Sequence, residues 1–205
     1  MKLTCTQENL NKGLSLVSRI VSSRATLPVL SNILLATDQG QLKLSSTDLE
    51  IGINTLVGAK IENEGSITIP ARLLAEYITV NNDETIDLEL KDTTLSLNSQ
   101  KYHANIKGIQ GSEFPLIPKI KKLHSFKMKT LLLKKALSLV VFACSIDGAK
   151  PVLSGVLFNI EGNKLFLAAT DSYRLAEKTI DLEEASKENI QIIVPQKTVQ
   201  ELYRI

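Results

Sequence analysis

A repeat of domain size constrains the fold of this chain more than any other feature of its sequence. The alternating run that ends in Thr47–Glu50 (TDLE) has a counterpart 123 residues later, which ends in Thr170–Tyr173 (TDSY). At the same offset, Pro28–Ser31 (PVLS) recurs unchanged as Pro151–Ser154. Periods this long are typical of duplicated domains, whereas the repeats of a solenoid are about 20 to 50 residues long. The sequence therefore predicts two related domains.

The two copies of the repeat differ in length. A complete first domain is predicted at residues 1–120, and a second at residues 121–205, of which about two-thirds is present. Gly111–Pro118, which is rich in turn-forming residues, is the candidate linker between them. The second copy ends with the helix predicted from Pro195, whereas about forty residues follow the matching helix of the first copy. We therefore expect the chain to be part of a longer protein.

Each copy follows the same order of predicted elements: a strand, a helix and then further strands. Leu10, Leu14 and Val17 recur at helical spacing and give the first helix one apolar face. Helices are predicted at residues 7–21, 71–80, 130–144 and 195–205. Strands are predicted at residues 2–6, 28–36, 41–46, 50–57, 66–69, 85–90, 94–99 and 101–107, and in the second copy at 123–128, 152–160, 164–169, 174–179 and 190–194. This pattern indicates an α+β fold, with the helices on one side of antiparallel sheets.

The composition indicates a protein with aliphatic cores and a nearly balanced charge. Hydrophobic residues make up 43% of the 205 residues, aromatic residues make up only 4%, and Trp is absent. The net charge of +2 is too small to identify a nucleic-acid-binding protein by itself, so any basic surface must be local. Cys5 and Cys144 are too few for a disulfide framework, and they are predicted to be buried thiols of a cytoplasmic protein.

No group of residues in the sequence has the composition of a catalytic or metal site. His103 and His124 have no His or Cys at ligand spacing, and no glycine-rich loop is suited to cradle a phosphate. Asp48 and Asp171 occupy equivalent places in the two copies, so we expect them to lie in different domains. A Thr-Asp pair at the end of a strand is typical of a turn whose Asp accepts backbone N–H groups. We therefore expect a protein without enzymatic activity that needs no cofactor or metal.

The remaining sequence features indicate binding. Every predicted helix carries one or two cations away from its apolar face: Lys12, Arg19, Arg72, Lys134, Lys135, Lys197 and Arg204. From the residues alone, these cations belong either to an ordinary solvated surface or to a binding surface. The tip of the second copy combines amphipathic Tyr173 and Arg174 with apolar Leu175, and Tyr and Arg are favoured at interface hot spots. The alternative for this tip is a plain surface turn with Arg174 in an ion pair.

Four segments in combination resemble one known family. They are Leu27–Leu30 (LPVL), Thr47–Glu50, Phe114-Pro115 and Thr170–Ala176 (TDSYRLA). Together they are similar to the bacterial sliding clamp, the beta subunit of DNA polymerase III, and the resemblance covers the whole chain in order. Members of that family carry three similar domains. The chain therefore resembles an N-terminal portion of a clamp, with duplicated clamp-type domains of which the second is incomplete.

The resemblance implies a processivity factor and not an enzyme. Clamps of this family are ring-shaped homodimers that encircle duplex DNA, and their helices line the inside of the ring. The cations that would then contact DNA phosphates, without reading the base sequence, are Lys12, Arg24, Arg72, Lys150 and Lys197. Some clamps carry two tyrosines at the places of Pro151 and Val152, so base stacking is not expected here and Lys150 remains the contact of that loop.

The resemblance also implies a hydrophobic pocket at the tip of the second copy. In clamps this pocket binds short linear motifs of the replicative polymerase, the clamp loader and repair proteins. One wall of the pocket is predicted to consist of Leu153, Thr170, Ser172, Tyr173, Arg174 and Leu175. The family often has Gly and His where Ser172 and Tyr173 stand, which changes the pocket lining without removing the turn. Two alternatives stay open: a hydrolase or transferase built on duplicated α+β domains, and a peptide-binding scaffold that does not contact DNA.

Overall fold

The fold is described from a computed structural model of the chain. The structure describes residues 1–21, 27–118, 125–147, 150–186 and 188–204. The chain divides into two compact units, Met1–Lys119 and Ile120–Ile205, and each unit has its own hydrophobic core. None of the helices in the described residues is long and apolar enough to cross a lipid bilayer.

The first unit is built from two antiparallel sheets and two α-helices. Its strands are β1 (Lys2–Thr6), β2 (Asn32–Asp38), β3 (Gln41–Thr47), β4 (Gly52–Val57), β5 (Ala59–Asn63), β6 (Ser66–Pro70), β7 (Thr85–Lys91), β8 (Thr94–Asn98), β9 (His103–Lys107) and β10 (Ile109–Gln110). Its helices are α1 (Gln7–Val17) and α2 (Ala71–Val80). One sheet has the strand order β5-β1-β7-β8-β9, and the other has the order β10-β6-β2-β3-β4.

The two helices of the first unit pack against each other and against the sheets. Thr6 caps α1, because its hydroxyl accepts a hydrogen bond from the Asn9 N–H. Leu10, Leu14 and Val17 of α1 are buried in one aliphatic cluster with the inward-facing residues of both sheets. The opposite face of each helix is exposed and carries polar residues.

The second unit contains, in its described residues, one four-stranded antiparallel sheet and two α-helices. Its strands are β11 (Gly155–Glu161), β12 (Lys164–Thr170), β13 (Leu175–Asp181) and β14 (Ile190–Pro195). Its helices are α3 (Thr130–Val140) and α4 (Gln196–Arg204). The strand order is β13-β12-β11-β14, and both helices pack into one core with one face of the sheet. The predicted α+β fold class, with helices beside antiparallel sheets, is confirmed.

The duplication is visible in the hydrogen bonds of two equivalent turns. After β3, the Thr47 hydroxyl donates to the carbonyl four residues on (2.8 Å), and Asp48 accepts the N–H three residues on (2.8 Å). After β12, Thr170 and Asp171 make the same two bonds, at 2.7 and 3.0 Å. The next residue in each turn has a left-handed backbone, with φ of 77° and 80°. The two copies of the sequence repeat therefore fold into the same local structure.

Two predicted strands are wrong at their N-terminal ends. Pro28–Ser31 and Pro151–Ser154 form 3-10 turns, and β2 and β11 begin only after them. Each turn is closed by a backbone hydrogen bond of 3.0 Å to the residue just before the proline. Proline at the first position of a helical turn fixes φ for that geometry and lacks an N–H that would have no partner there. The apolar residues of these turns have the hydropathy of a strand, so hydropathy alone does not separate the two structures.

The strand predicted at residues 123–128 is not formed in the described residues 125–128. In the first unit the equivalent strand, β1, is paired on both sides, by β5 and β7. In the described part of the second unit, only one hydrogen bond, from the Glu183 N–H to the Lys127 carbonyl (3.1 Å), reproduces the β1–β5 pairing. A strand needs partners for its backbone N–H and C=O groups, and residues 125–128 do not form one with the partners that the described residues supply. The sequence pattern also misses β5, whose short sequence (AKIEN) is mostly polar.

The helices predicted at residues 7–21 and 130–144 are shorter than predicted. α1 and α3 each pass into a 3-10 turn, at Ser18–Ile20 and Val141–Ala143. The last carbonyls of a helix have no donor within the helix and must find one elsewhere. At the end of α3 one such carbonyl, that of Phe142, receives its donor from the β12–β13 turn.

Candidate functional site

The second unit carries an open apolar cavity of about 550 Å³, which we name the outer groove. It is lined by Val152, Leu153, Gly155, Leu157, Ala168, Ala169, Thr170, Leu175, Gln191, Ile192 and Ile193. Side chains alternate along a strand, and Val156 of β11 belongs to the core beneath the helices. Leu157, with its cross-strand partners Ala168 and Ile193, therefore lies on the opposite sheet face. The outer groove is thus on the face of the sheet that α3 and α4 leave uncovered.

Apolar side chains in the outer groove are unusually exposed for such large groups. Val152 is 66% exposed, Leu175 is 63% exposed, and Ile192 and Ile193 are about half exposed. A contiguous cluster of this kind is typical of a surface where another molecule binds, whereas single exposed leucines are ordinary. The lining is almost entirely aliphatic, so the groove is suited to apolar side chains and not to a charged ligand.

The β12–β13 turn beside the outer groove is fixed by its own hydrogen bonds. Thr170 Oγ1 accepts a hydrogen bond from the Ser172 N–H (3.1 Å), and Asp171 Oδ1 accepts from the Tyr173 N–H (3.0 Å) and the Arg174 N–H (3.0 Å). The pKa of Asp171 is lowered by these hydrogen bonds, mainly by the one from the Tyr173 N–H and then by the one from the Arg174 N–H. The positive charge of Arg174 lowers it further. The turn sets the direction in which the chain enters β13, and therefore the position of Leu175.

Arg174 points away from the outer groove. Its Nε donates to Asp171 Oδ2 (2.9 Å), and its Nη2 donates to the Phe142 carbonyl (2.9 Å). The guanidinium also lies 5.5 Å from the centroid of the Phe142 ring, within the range of a cation–π interaction. Arg174 therefore links the β12–β13 turn to the end of α3 and stabilises the turn that lies beside the outer groove.

The structure divides the six predicted pocket residues into two groups. Leu153, Thr170 and Leu175 line the outer groove. Ser172, Tyr173 and Arg174 form the adjacent turn, in which the Tyr173 side chain is 97% exposed. The binding role predicted for all six stays a prediction.

Sequence reading missed the part of the outer groove that comes from β11 and β14. Leu157 and Ile193 are cross-strand neighbours there, and Gly155 leaves room for the Ile193 side chain. An ideal Cβ on Gly155 would lie 2.6 Å from Ile193 Cγ2. The unbroken apolar run at residues 192–194 was the available signal, because a strand covered on one face alone normally alternates with polar residues.

In the first unit, the surface equivalent to the outer groove is covered by the chain itself. Val29, Leu30 and Leu34, the counterparts of Val152, Leu153 and Leu157, pack with Phe114 and Ile117. Phe114 is only 7% exposed. The same covering segment begins with β10, which pairs with β6, the counterpart of β14. No strand lies on that side of β14 in the described residues.

The two copies also differ at the residue that faces the covering segment. Ile117 packs against Gly52, where an ideal Cβ would lie 2.9 Å from Ile117 Cγ2. The residue equivalent to Gly52 in the second unit is Leu175, whose side chain lines the outer groove. The outer groove is therefore the counterpart of a surface that the first unit covers with its own residues 109–117, and Leu175 changes its lining.

The predicted DNA-facing cations are distributed over the two units. Lys12 on α1 and Arg72 on α2 are exposed in the first unit, and Lys150 and Lys197 are exposed in the second. Lys12 Nζ lies 2.5 Å from Glu8 Oε1, and Arg72 Nε lies 2.7 Å from Glu76 Oε1. Arg24 lies outside the described residues. The role of these five cations in DNA binding stays a prediction.

Two other helix cations, Lys134 and Arg204, have partners inside the second unit. Lys134 Nζ lies 5.6 Å from the centroid of the Tyr203 ring, which joins α3 to α4. Arg204 Nη1 lies 3.0 Å from Oε1 of Glu201, a residue that is only 7% exposed. Among the described residues, no three His, Cys, Asp or Glu side chains are grouped so that they could hold a metal ion. His103 faces Asn98 at 3.0 Å, and His124 lies outside the described residues.

Comparison with known proteins gives one result for both units. Residues 1–118 match the family described as DNA polymerase III beta subunit, N-terminal domain, and residues 127–205 match its central domain. The chain is 39% identical over 211 residues to the beta sliding clamp of Synechococcus elongatus and 30% identical over 214 residues to that of Bacillus subtilis. These alignments cover 100% of this chain but 56% and 57% of the relatives. The chain thus spans little more than half the length of the relatives it matches.

Solved structures agree with the sequence matches. The DNA polymerase sliding clamp of Bacillus subtilis has a TM-score of 0.95 to this chain at 29% identity, and it is matched over 56% of its length. The DNA polymerase III subunit beta of Pseudomonas aeruginosa has a TM-score of 0.95 at 31% identity over the same share. A Pseudomonas aeruginosa sliding clamp with a TM-score of 0.93 was solved bound to griselimycin. All three alignments cover 100% of this chain.

Proposed function

This chain belongs to the family of the DNA polymerase III beta subunit, the beta sliding clamps, as the resemblance in its sequence predicts, and we propose that it acts as part of a DNA polymerase processivity factor. In this function the longer protein forms a ring-shaped homodimer that encloses duplex DNA and keeps the polymerase attached to it. The mechanism is topological, and it requires binding surfaces but no bond-making chemistry. The protein acts inside the cell, where the DNA is.

The proposal rests mainly on the outer groove of the second unit. A short apolar segment of a partner, such as the replicative polymerase, the clamp loader or a repair protein, binds there in extended form. The first unit supports this mode of binding, because its own segment around Phe114 and Ile117 covers the equivalent surface.

The exposed helix cations are proposed to hold DNA through its phosphates. Lys12 and Arg72 lie on helices that pack side by side in the first unit, and Lys150 and Lys197 serve the same role in the second. Arg24 completes the set predicted from the sequence. Phosphate contacts carry no base information, and they weaken as salt concentration rises. A protein that moves along DNA needs contacts of this kind, because base-specific contacts would hold it at one site.

A peptide titration tests the proposed partner site. A fluorescein-labelled peptide with Leu and Phe side chains is titrated with the chain, and its anisotropy is followed into the millimolar range. We expect weak binding, because in clamps the remainder of the pocket comes from a third domain. Leu175→Ala should weaken the binding further, whereas Leu139→Ala, an exposed leucine on α3 outside the outer groove, should leave it unchanged. Equal affinity for the wild type and both variants would contradict the proposal.

The peptide-binding scaffold that never meets DNA makes a different prediction. Such a protein would bind the peptide at Leu175 but would pass through a duplex-DNA column at low salt. Retention of the chain on that column, with elution by salt and without dependence on the DNA sequence, favours the processivity factor.

A further inference from the structure

The two proposed DNA contacts of the first unit are each held by a carboxylate on their own helix. On α1, Lys12 Nζ lies 2.5 Å from Glu8 Oε1, and on α2, Arg72 Nε lies 2.7 Å from Glu76 Oε1. All four side chains are more than half exposed. The Lys12 ammonium lowers the pKa of Glu8, and the Glu76 carboxylate raises the pKa of Arg72.

A contribution to helix stability does not explain why both Glu8 and Glu76 are present. Glu8 lies in the first turn of α1, where a carboxylate is favourable beside the helix dipole. Glu76 lies in the second half of α2, where the dipole offers it no such benefit. Exposed ion pairs of this kind contribute little to folding. Their clear effect is electrostatic, because each pair turns an outward cation into a group with no net charge.

The pairing is not shared by all the helices. The sequence of α3 contains no Asp or Glu, so neither Lys134 nor Lys135 has a carboxylate on its own helix. On α4, the counterpart of α2, Glu201 stands four residues after Lys197 just as Glu76 stands four residues after Arg72, and its Oε1 lies 3.0 Å from Arg204 Nη1. Glu8 and Glu76 are thus paired with the two proposed DNA contacts on the helices of the first unit.

We propose that Glu8 and Glu76 are positioning residues that weaken the hold of Lys12 and Arg72 on DNA phosphates. This inference rests on the proposed function. A phosphate that approaches Lys12 or Arg72 must displace a carboxylate that is tethered to the protein and cannot be diluted into the solvent. Fewer counterions are then released from the DNA for each contact, which lowers both the affinity and its salt dependence. Weak contacts allow an enclosed DNA duplex to move while the ring prevents its escape.

The test compares two variants with the same change in net charge. Glu8→Gln/Glu76→Gln removes the two paired acids, and Glu64→Gln/Glu113→Gln removes two exposed acids that lie outside the α-helices. All variants are made in the full-length chain and eluted with salt from a duplex-DNA column, and their affinity for a random-sequence duplex is measured by anisotropy at several salt concentrations. We expect the paired-acid variant to bind about fourfold more tightly than the control, or about twofold for each released cation. Its salt slope should be steeper by up to about one for each cation.

A third variant separates the two proposals. In a Lys12→Gln/Arg72→Gln background, removal of Glu8 and Glu76 should have no more effect than removal of the control acids. If the wild type is retained on DNA but the two Glu→Gln variants behave alike, the positioning role is wrong and the proposed function stands. If the full-length wild type and every full-length variant pass through the column unretained at low salt, the DNA-binding function and this inference are both wrong.

Discussion

The Arg174 guanidinium donates a hydrogen bond to the Phe142 carbonyl across 2.9 Å, which joins the β12–β13 turn to the end of α3 over 32 residues of sequence. The same guanidinium binds Asp171 within the turn at 2.9 Å. Both contacts are made by the planar fork of Arg, whose donors have a fixed geometry that Lys does not reproduce. Arg174 therefore controls the position of the neighbouring Leu175 while lying outside the outer groove itself.

Replacement of Arg174 should loosen the turn. Arg174→Ala is expected to lower the free energy of unfolding by about 1 kcal/mol, a modest value because the side chain is about half exposed. Arg174→Lys should recover little of this loss, since one ammonium cannot serve both acceptors. Urea denaturation measures the effect, with Lys178→Ala in the exposed part of β13 as the control. Equal stability of Arg174→Ala and Lys178→Ala would show that the contact with Phe142 does not hold the turn.

Leu175 should matter for binding much more than for folding. Its side chain is 63% exposed, so Leu175→Ala is expected to change the free energy of unfolding by less than about 0.5 kcal/mol. In a full-length chain the same change should cost about 1–2 kcal/mol of partner-peptide affinity, as anchors of an interface do. Calorimetric titration of the peptide and urea denaturation together separate the two effects. A large loss of stability without a loss of affinity would make Leu175 a structural residue.

Gly155 is predicted to tolerate no side chain. A Cβ at this position would lie 2.6 Å from Ile193 Cγ2 and 2.7 Å from the Val194 carbonyl oxygen. Gly155→Ala should therefore force β11 and β14 apart and lower the free energy of unfolding by about 1–3 kcal/mol. Gly58→Ala is the matched control, because a Cβ there meets no atom within 4 Å. Indistinguishable unfolding curves for the two variants would contradict the close approach of Gly155 to β14.

The Asp171 turn should make the second unit sensitive to acid. Hydrogen bonds from the Tyr173 and Arg174 N–H groups and the Arg174 charge lower the pKa of Asp171 below the ordinary value of about 3.9. The stabilisation is therefore present above the unfolded-state pKa, and it is lost as the pH falls through the folded-state pKa. Asp171→Asn should flatten the pH dependence of unfolding in this acidic range, whereas Asp181→Asn at the end of β13 should not. The same acid-induced loss in the wild type and in Asp171→Asn would rule out this role.

Much of the fold follows from sequence because the repeat aligns residues with the same local chemistry. Thr47-Asp48 and Thr170-Asp171 predict the same turn, since Asp and Thr side chains bind nearby backbone groups without help from the rest of the protein. The apolar faces of α1 and α2 follow from helical spacing for the same local reason. These features depend on neighbours in sequence, so a single sequence contains them.

The candidate site is less predictable because its walls come from distant segments. Leu157 and Ile193 become neighbours only through the register of β11 with β14. The direction of Arg174 depends on the Phe142 carbonyl, which becomes available because α3 ends in a 3-10 turn. Pairing between distant strands and the exact ends of helices are decided by tertiary packing, which sequence periodicity does not describe.

Chemical-shift mapping by NMR tests the central claim, that the outer groove binds a short apolar segment of a partner. An unlabelled peptide with Leu and Phe side chains is added to the isotope-labelled chain up to millimolar concentration, at which even weak binding is detected. We expect shifts that cluster at Leu153, Thr170, Leu175 and Ile193 and that are strongly reduced in Leu175→Ala. Shifts confined to the first unit, or shifts at the groove that persist unchanged in Leu175→Ala, would contradict it.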